Sequence, residues 1–259
     1  MRTTLVRRTV LTASAVSLVL LSTACGSDKA DDKKADAKPS AAASSAAAAP
    51  AAKGKTDAEL AALLVADADL PGHQFEPATP AEAAAGATAT SDKPACLPLV
   101  KAQSMAAPAE KSTGVARTRV VATPKPAAEG ASPEEKLKAA MDALGSNATA
   151  VTLSSYEGKA ADEAFAALKA AGTACAGGYS VTQGGESGKV SKVGDGTPVT
   201  AGDGALAYTV EGDADGEKFT TQLVVVRKGN TLATFSTISL TGKAEQPKAV
   251  VDAQVKKLG

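Results

Sequence analysis

The stretch of sequence that decides the fold is Phe219-Thr220-Thr221-Gln222-Leu223-Val224-Val225-Val226-Arg227. Its β-branched residues predict a strand, and the unbroken run Val224–Val226 indicates a central strand that is buried on both faces. Residues 205–211 and 231–240 have the same character on either side of it, and polar loops separate the three segments. Three successive strands of this kind predict a β-meander built from two hairpins.

Helix signals lie on both sides of the meander. Thr56–Glu59 is a capping box, in which the threonine side chain and a glutamate three residues later satisfy free N–H groups of the first turn. Ser132–Glu135 has the same form, with a proline at the first helical position. Residues 159–171 carry apolar side chains at helical spacing, and Gly172 is expected to end that helix. Pro247 is expected to open a final helix.

Shorter strands complete the predicted sheet, at residues 115–121, 148–153, 179–182 and 189–193. Residues 76–95 consist mostly of Ala, Thr, Pro and Gly with little to bury, which predicts a loop. The expected fold is therefore of the α+β class: a largely antiparallel sheet with a C-terminal β-meander, and helices packed on one face of it.

The predicted folded domain covers residues 56–259, and a segment of different composition precedes it. Apart from Cys25 and two glycines, residues 25–55 are Ala, Lys, Asp, Ser and Pro, with almost no large apolar side chain. Such a segment cannot offset its ordering entropy by burial, so it is predicted to be a disordered tether. A flexible coil of this length has an r.m.s. reach of about 30 Å.

The N-terminal residues have the features of an export signal. Three arginines lie within the first eight residues, and residues 9–21 form an uncharged apolar run that is too short for a membrane span of about 20 residues. The following Leu21-Ser22-Thr23-Ala24-Cys25 resembles the lipobox of bacterial lipoproteins. That resemblance implies a signal peptide at residues 1–24, a lipid on Cys25, and anchoring to the outer face of the cytoplasmic membrane, facing the cell wall.

Two alternatives stay open at this end of the chain. Ser22 stands where a lipobox usually has leucine, so an ordinary secretory signal followed by a coincidental cysteine is the competing interpretation. The pair Arg7-Arg8 also resembles a twin-arginine signal, so the export pathway is not decided.

The chain contains three cysteines. If Cys25 carries lipid, Cys96 and Cys175 remain, and two cysteines in an oxidising compartment most simply form a disulfide. The alternatives are a metal pair or a reactive thiol. No histidine or third cysteine lies nearby in the sequence to complete a zinc site.

Charge and aromatic content exclude one class of partner. The chain has 28 basic and 28 acidic residues, no Trp, three Tyr and four Phe. A chain without net charge and with few aromatic residues lacks both the field and the stacking surfaces that bind nucleic acid. Tyr156, Tyr179 and Tyr208 are expected in the core or as cross-strand neighbours rather than in a cleft.

Candidate chemical groups are few. The one histidine, His73, is expected in a solvated turn, and no pair of carboxylates has the pattern of an acid/base dyad. The acidic run Glu211–Glu217 is expected to be a hairpin tip rather than a calcium loop, because Gln222 stands where the bidentate glutamate belongs. The sequence therefore predicts no catalytic residue, no metal and no cofactor.

Several segments share one order with a known family. They are a helix ending in Ala68-Asp69-Leu70-Pro71, a cysteine in Ala95-Cys96-Leu97-Pro98-Leu99, the strand Val151-Thr152-Leu153-Ser154-Ser155-Tyr156, a helix with Ala164-Phe165, and then Cys175. This order resembles the extracellular sensor domain of some actinobacterial receptor Ser/Thr kinases and of related free lipoproteins. The resemblance implies an antiparallel sheet with helices against it, and a cleft that binds a small ligand without catalysis.

The expected function is therefore that of a cell-surface lipoprotein with a non-catalytic, ligand-binding or sensor-like domain. Its partners would be the membrane, through the lipid, and an unknown small ligand. The alternative is an envelope assembly or protein-interaction module with an envelope protein as its partner. A ligand binder should contain an enclosed apolar pocket, an interaction module should expose an apolar patch, and an enzyme should place perturbed carboxylates or His73 in a cleft.

Overall fold

The structure is a computed structural model that describes residues 53–123, 127–144, 147–214, 216–239 and 244–259. Six α-helices and nine strands are found within these ranges. In chain order they are α1 (Asp57–Ala62), β1 (His73–Pro77), α2 (Pro80–Thr88), β2 (Thr90–Ser91), α3 (Leu97–Gln103), β3 (Gly114–Ala122), α4 (Pro133–Leu144), β4 (Ala148–Ser155), α5 (Ala160–Ala174), β5 (Tyr179–Gln183), β6 (Glu186–Asp195), β7 (Gly204–Ala214), β8 (Glu217–Lys228), β9 (Thr231–Ile238) and α6 (Lys248–Leu258).

All nine strands form one antiparallel sheet in the order β1-β3-β4-β9-β8-β7-β6-β5-β2. The predicted α+β class and the meander β7-β8-β9 are confirmed. Strand β8 lies in the middle of the sheet, and Val224–Val226 are at most 1% exposed. Alternating side chains of one strand point to opposite faces, so a run of three buried valines requires cover on both sides.

Helices cover both faces of the sheet, and the expectation that they pack on one face was wrong. Helices α3 and α5 pack on one face, where Leu223 and Val225 of β8 belong to the core. Helices α1 and α6 pack on the other, where Val224 and Val226 do. Because the central strands are apolar on both faces, a one-sided arrangement would leave a continuous apolar surface in water.

A buried glutamine joins the two helices of the second face. The Gln254 side chain of α6 accepts a hydrogen bond from the Val65 backbone N–H at 2.9 Å and donates one to the Leu63 carbonyl oxygen at 2.8 Å. Gln254 is fully buried, and these two bonds satisfy backbone groups that follow α1.

The predicted loop at residues 76–95 is wrong, because this segment contains the end of β1 and all of α2 and β2. Helix α2 starts with a second capping box: Thr79 and Glu82 bond reciprocally, and Pro80 takes the first helical position. The alanines of α2 offer little apolar surface to bury. Gly86 instead allows the helix to pack directly against the Ser104 carbonyl oxygen, which a Cβ at position 86 would approach to 2.0 Å. His73 is the first residue of edge strand β1 rather than part of a turn.

Two helices differ from their prediction. Helix α5 continues through Gly172 to Ala174, so this glycine does not end the helix; its missing Cβ leaves room for the Tyr208 ring of β7. Helix α4 begins at the predicted capping box, where Ser132 and Glu135 bond reciprocally. However, Leu137 on it is 65% exposed, so this apolar residue does not join the core.

The predicted signal peptide (residues 1–24), Cys25 and residues 26–52 of the predicted tether lie outside the described residues. Among the described residues, Lys53 and Lys55 already contact the domain ahead of the predicted boundary at residue 56. The Lys55 N–H donates to Ser155 Oγ at 2.9 Å, and Asn230 Nδ2 donates to the Lys53 carbonyl at 2.5 Å. Among the helices described, none has the length and apolarity needed to span a bilayer.

Candidate ligand-binding cleft

A cleft of about 440 Å³ lies on the sheet face that carries α3. Its floor comes from β3, β4, β9 and β8, one wall from β5 and β6, and its roof from α3 and the residues after it. The apolar side chains that line it are Val100, Met105, Ala148, Ala150, Val181, Val190, Phe219 and Ile238. This volume is within the range of clefts that hold small organic ligands.

The cleft exists because the floor has small side chains where the roof ends. Ala150 of β4 pairs with Ser236 of β9 in the sheet, and Ala148 lies two residues away on the same face. Helix α3 ends at Gln103, and Met105 follows with a φ of 56°. This left-handed conformation changes the direction of the backbone after α3, so no helix covers the small side chains of Ala148 and Ala150.

An ion cluster occupies the β3 side of the cleft. Arg119 donates through Nη1 to Glu82 Oε1 at 2.5 Å, and its Nη2 lies 3.4 Å from Glu76 Oε2. The other carboxylate oxygen of Glu82 accepts from the N–H of Thr79 at 2.8 Å and from its hydroxyl at 2.7 Å. The Thr79 N–H, its hydroxyl and the Arg119 cation together lower the pKa of Glu82. The carboxylate is therefore ionised and a weak base, which disfavours an acid/base role.

Polar groups from α3 and β5 form the opposite wall. Gln103 Nε2 donates to the Tyr179 hydroxyl oxygen at 2.9 Å, and Ser104 Oγ donates to Gln183 Oε1 at 2.7 Å. Burial raises the pKa of Tyr179, so its hydroxyl stays protonated. These bonds fix the wall and leave neutral hydrogen-bonding groups on the side of the cleft opposite the ion cluster.

The two cysteines are bonded in the structure, with an S–S distance of 2.00 Å and Cα atoms 5.8 Å apart. Cys96 immediately precedes α3, and Cys175 immediately follows α5. Both residues are fully buried. The disulfide therefore ties the helix that roofs the cleft to the longest helix on the same face.

The three tyrosines and the histidine named in the sequence analysis lie in different parts of the fold. Tyr156 is fully buried in the core, where burial raises its pKa to about 12, and Tyr208 donates to the Leu168 carbonyl at 3.3 Å. Tyr179 is buried as expected but also lines the cleft. His73 lies at the start of β1 and does not line the cleft; its Nδ1 is 3.5 Å from the Pro71 carbonyl oxygen.

The acidic segment Glu211–Glu217, predicted as a hairpin tip, forms the end of β7 and the first residue of β8, and the hairpin turns within it, between Ala214 and Glu217. Asp213 Oδ1 accepts from the Gly216 N–H at 2.9 Å, and Gly216 has a φ of 86°, which is typical of a tight hairpin turn. Across the part of the chain that the structure describes, no three His, Cys, Asp or Glu side chains gather as a metal site would require.

A longer groove of about 800 Å³ runs beside α3 and includes Lys101 and Arg117. Both cations are held by backbone carbonyls: Lys101 Nζ contacts the Ala87 oxygen, and Arg117 Nε donates to the Met105 oxygen. Burial lowers the pKa of Lys101. The charges of Lys101 and Arg117 are therefore already engaged in holding the segments around α3 together. The cleft, whose wall offers neutral hydrogen-bonding groups, is the better candidate for a ligand site than this groove.

Sequence reasoning missed Glu82, Arg119, Gln103 and Gln183. The Thr79-Pro80-Ala81-Glu82 capping box was the signal that could have revealed α2 and placed Glu82 at a helix start. Arg119 was visible only as one of the polar residues of an alternating strand.

Comparison with solved structures finds a likeness to a mycobacterial protein. The extracellular domain of PknH from Mycobacterium tuberculosis superposes with a TM-score of 0.42 at 12% identity, covering 80% of this chain and 97% of that chain. No protein-family model matches the chain, and no curated protein matches it.

Proposed function

We propose that this chain is an extracytoplasmic lipoprotein whose folded domain binds a small ligand in the cleft between α3 and the sheet, without catalysis. The observation that carries the proposal is the cleft itself: a mainly apolar concavity of about 440 Å³ with neutral polar groups on one wall and a paired arginine and glutamate on the other. Clefts of this composition are characteristic of small-molecule sites. The sensor-like order of segments in the sequence supports the same function.

The proposed anchor is tested on the mature protein. The chain from native membranes is expected to start at Cys25 and to carry the mass of a diacylglyceryl group there, while Cys25→Ser lacks that mass. The measurement is intact-mass spectrometry with peptide mapping of the N-terminus. A wild-type chain without lipid would contradict the anchor and leave the cleft proposal in place.

The proposed ligand site is tested by filling it. Ala150 lines the cleft floor and is only half-buried, so Ala150→Phe should place a ring in the open volume. We expect Nile red, an uncharged dye that fluoresces in apolar sites, to bind the wild type and to lose at least about tenfold in affinity in this variant. The chain to use is residues 25–259 with Cys25→Ser, which contains every described residue.

The matched control is Ala122→Phe, which adds the same ring to an exposed alanine of the same sheet. This variant should bind the dye as the wild type does. Equal dye affinity in Ala150→Phe and the wild type would reject the cleft as the binding site. Both variants must keep the wild-type circular dichroism spectrum.

A protein-interaction module is the second candidate, and one observation favours it. Leu137 on α4 is a large apolar side chain that is 65% exposed, so it is a residue around which an apolar contact patch could form. If Nile red does not bind the wild type in the cleft, this exposed helix becomes the leading candidate for a contact surface.

A further inference from the structure

Charge is balanced within the cleft. Among the described residues that line it, Glu82 and Arg119 are the charged ones, and they are paired at 2.5 Å. Glu82 is also saturated by its bonds to Thr79. The nearby Glu76 carboxylate, 3.4 Å from Arg119, is more than half exposed and therefore largely screened by solvent. A ligand thus meets no charge that lacks a partner.

This balance selects against an ionised ligand. An ion that enters the cleft loses hydration, and it finds no free counterion to replace the lost water. A neutral group loses much less, and it finds hydrogen-bonding partners. Tyr179 accepts from Gln103, and no described residue accepts the Tyr179 hydroxyl hydrogen. Gln183 uses its oxygen for Ser104, which leaves its amide N–H groups to donate.

The floor is long in one direction. It crosses β3, β4, β9 and β8 through Arg119, Ala150, Ser236 and Thr221, which is three steps between neighbouring strands. At about 4.8 Å per step, this floor is roughly 14 Å long. Its apolar side chains are mainly aliphatic, with Phe219 as the one aromatic ring apart from Tyr179. The apolar side chains of this floor, Ala148 and Ala150 of β4, Ile238 of β9 and Phe219 of β8, provide contacts for an extended aliphatic chain across the strands.

We propose that the ligand is an uncharged amphiphile, with an aliphatic chain along the floor and a neutral hydroxyl, ester or amide head at the polar wall. This inference rests on the proposed function, because it names the ligand class of the same cleft. It excludes fatty acids, anionic phospholipids and cationic amphiphiles as the preferred ligands.

The test uses three probes that share one twelve-carbon chain: monolauroylglycerol, laurate and dodecyltrimethylammonium. Each competes with Nile red for the Cys25→Ser chain of residues 25–259, below its critical micelle concentration. The neutral ester should bind at least about tenfold more tightly than either ion, because only the ions lose hydration without compensation. Equal or tighter binding of laurate or of the cation would overturn the proposal.

Glu82→Gln tests the charge balance directly. Glutamine can replace glutamate in a capping box, so α2 should keep its start, while Arg119 loses its close counterion. Laurate should then gain about tenfold in affinity through a charge-assisted bond to Arg119. The ester should change by less than about twofold.

Glu59→Gln is the matched control, because Glu59 makes the same capping bonds with Thr56 at the start of α1, on the opposite face of the sheet. It should change the affinity of none of the three probes. Failure of Glu82→Gln to raise laurate affinity would overturn the charge argument.

The outcomes separate this inference from the proposed function. If Nile red binds in the cleft but the ester does not displace it, the ligand class is wrong and the site stands. If Nile red binding does not respond to Ala150→Phe, the site itself is rejected, and the ligand class is rejected with it.

Discussion

Replacing Cys96 and Cys175 with alanine is expected to lower the free energy of unfolding by about 4.5 kcal/mol, the value that chain entropy gives for a closed loop of this size. The two cysteines are 79 positions apart in the sequence. Their bond removes the many unfolded conformations in which α3 and α5 are far apart. Guanidinium denaturation followed by circular dichroism measures the change, since the chain has no tryptophan to report on unfolding.

Reduced wild-type protein is the control for this variant. Under a strong reductant at denaturing concentrations of guanidinium, its transition should approach that of the double variant. A difference of less than about 1 kcal/mol between the oxidised wild type and the variant would contradict the entropic argument. Because the bond ties the roof helix of the cleft to α5, the variant should also bind Nile red more weakly than the wild type does.

The sequence was sufficient for elements with strong local signals. The meander follows from alternating and continuous β-branched runs, and the starts of α1 and α4 follow from capping boxes at Thr56 and Ser132. These signals lie within a few residues of one another, so they do not depend on how the chain folds over long distances.

Helix α2 was missed because its composition hides it. Its residues are mostly alanine with one glycine, so no apolar stripe marks a buried face, and the helix is held by its cap and by close contact at Gly86. Helix α4 shows the opposite case, in which the apolar spacing predicts burial that Leu137 does not have. A local sequence pattern predicts that a helix forms, but it does not predict which part of the protein that helix packs against.

The cleft could not be predicted from the sequence. Arg119 and Glu82 are 37 positions apart, and Ala150 and Ser236 become neighbours only through the pairing of β4 with β9. The open volume depends on where α3 ends above this floor, which no residue pattern encodes. The resemblance to a sensor domain predicted that a cleft exists, but it did not predict which residues form it.

The second large effect is expected on the other face of the sheet, at Phe235. This side chain is fully buried, and it lies between Val151 of β4 and Val224 of β8, its direct partners on the two neighbouring strands. Phe235→Ala should lower the free energy of unfolding by about 4 kcal/mol, through lost burial and the cavity left behind. The measurement is again guanidinium denaturation with circular dichroism.

Phe165→Ala is the matched control, since this half-buried ring packs against the edge of the α3/α5 core. It should cost less than half as much, because a partly exposed ring loses less buried area and its site can collapse. Equal costs for the two substitutions would contradict the assignment of Phe235 to a closed core. The two faces should also differ in function: Phe235 lies on the α1/α6 face, away from the cleft and from the Cys96–Cys175 bond, so Phe235→Ala should destabilise the domain while the folded fraction still binds Nile red. Disulfide removal acts on the face that carries the cleft, and it should weaken stability and binding together.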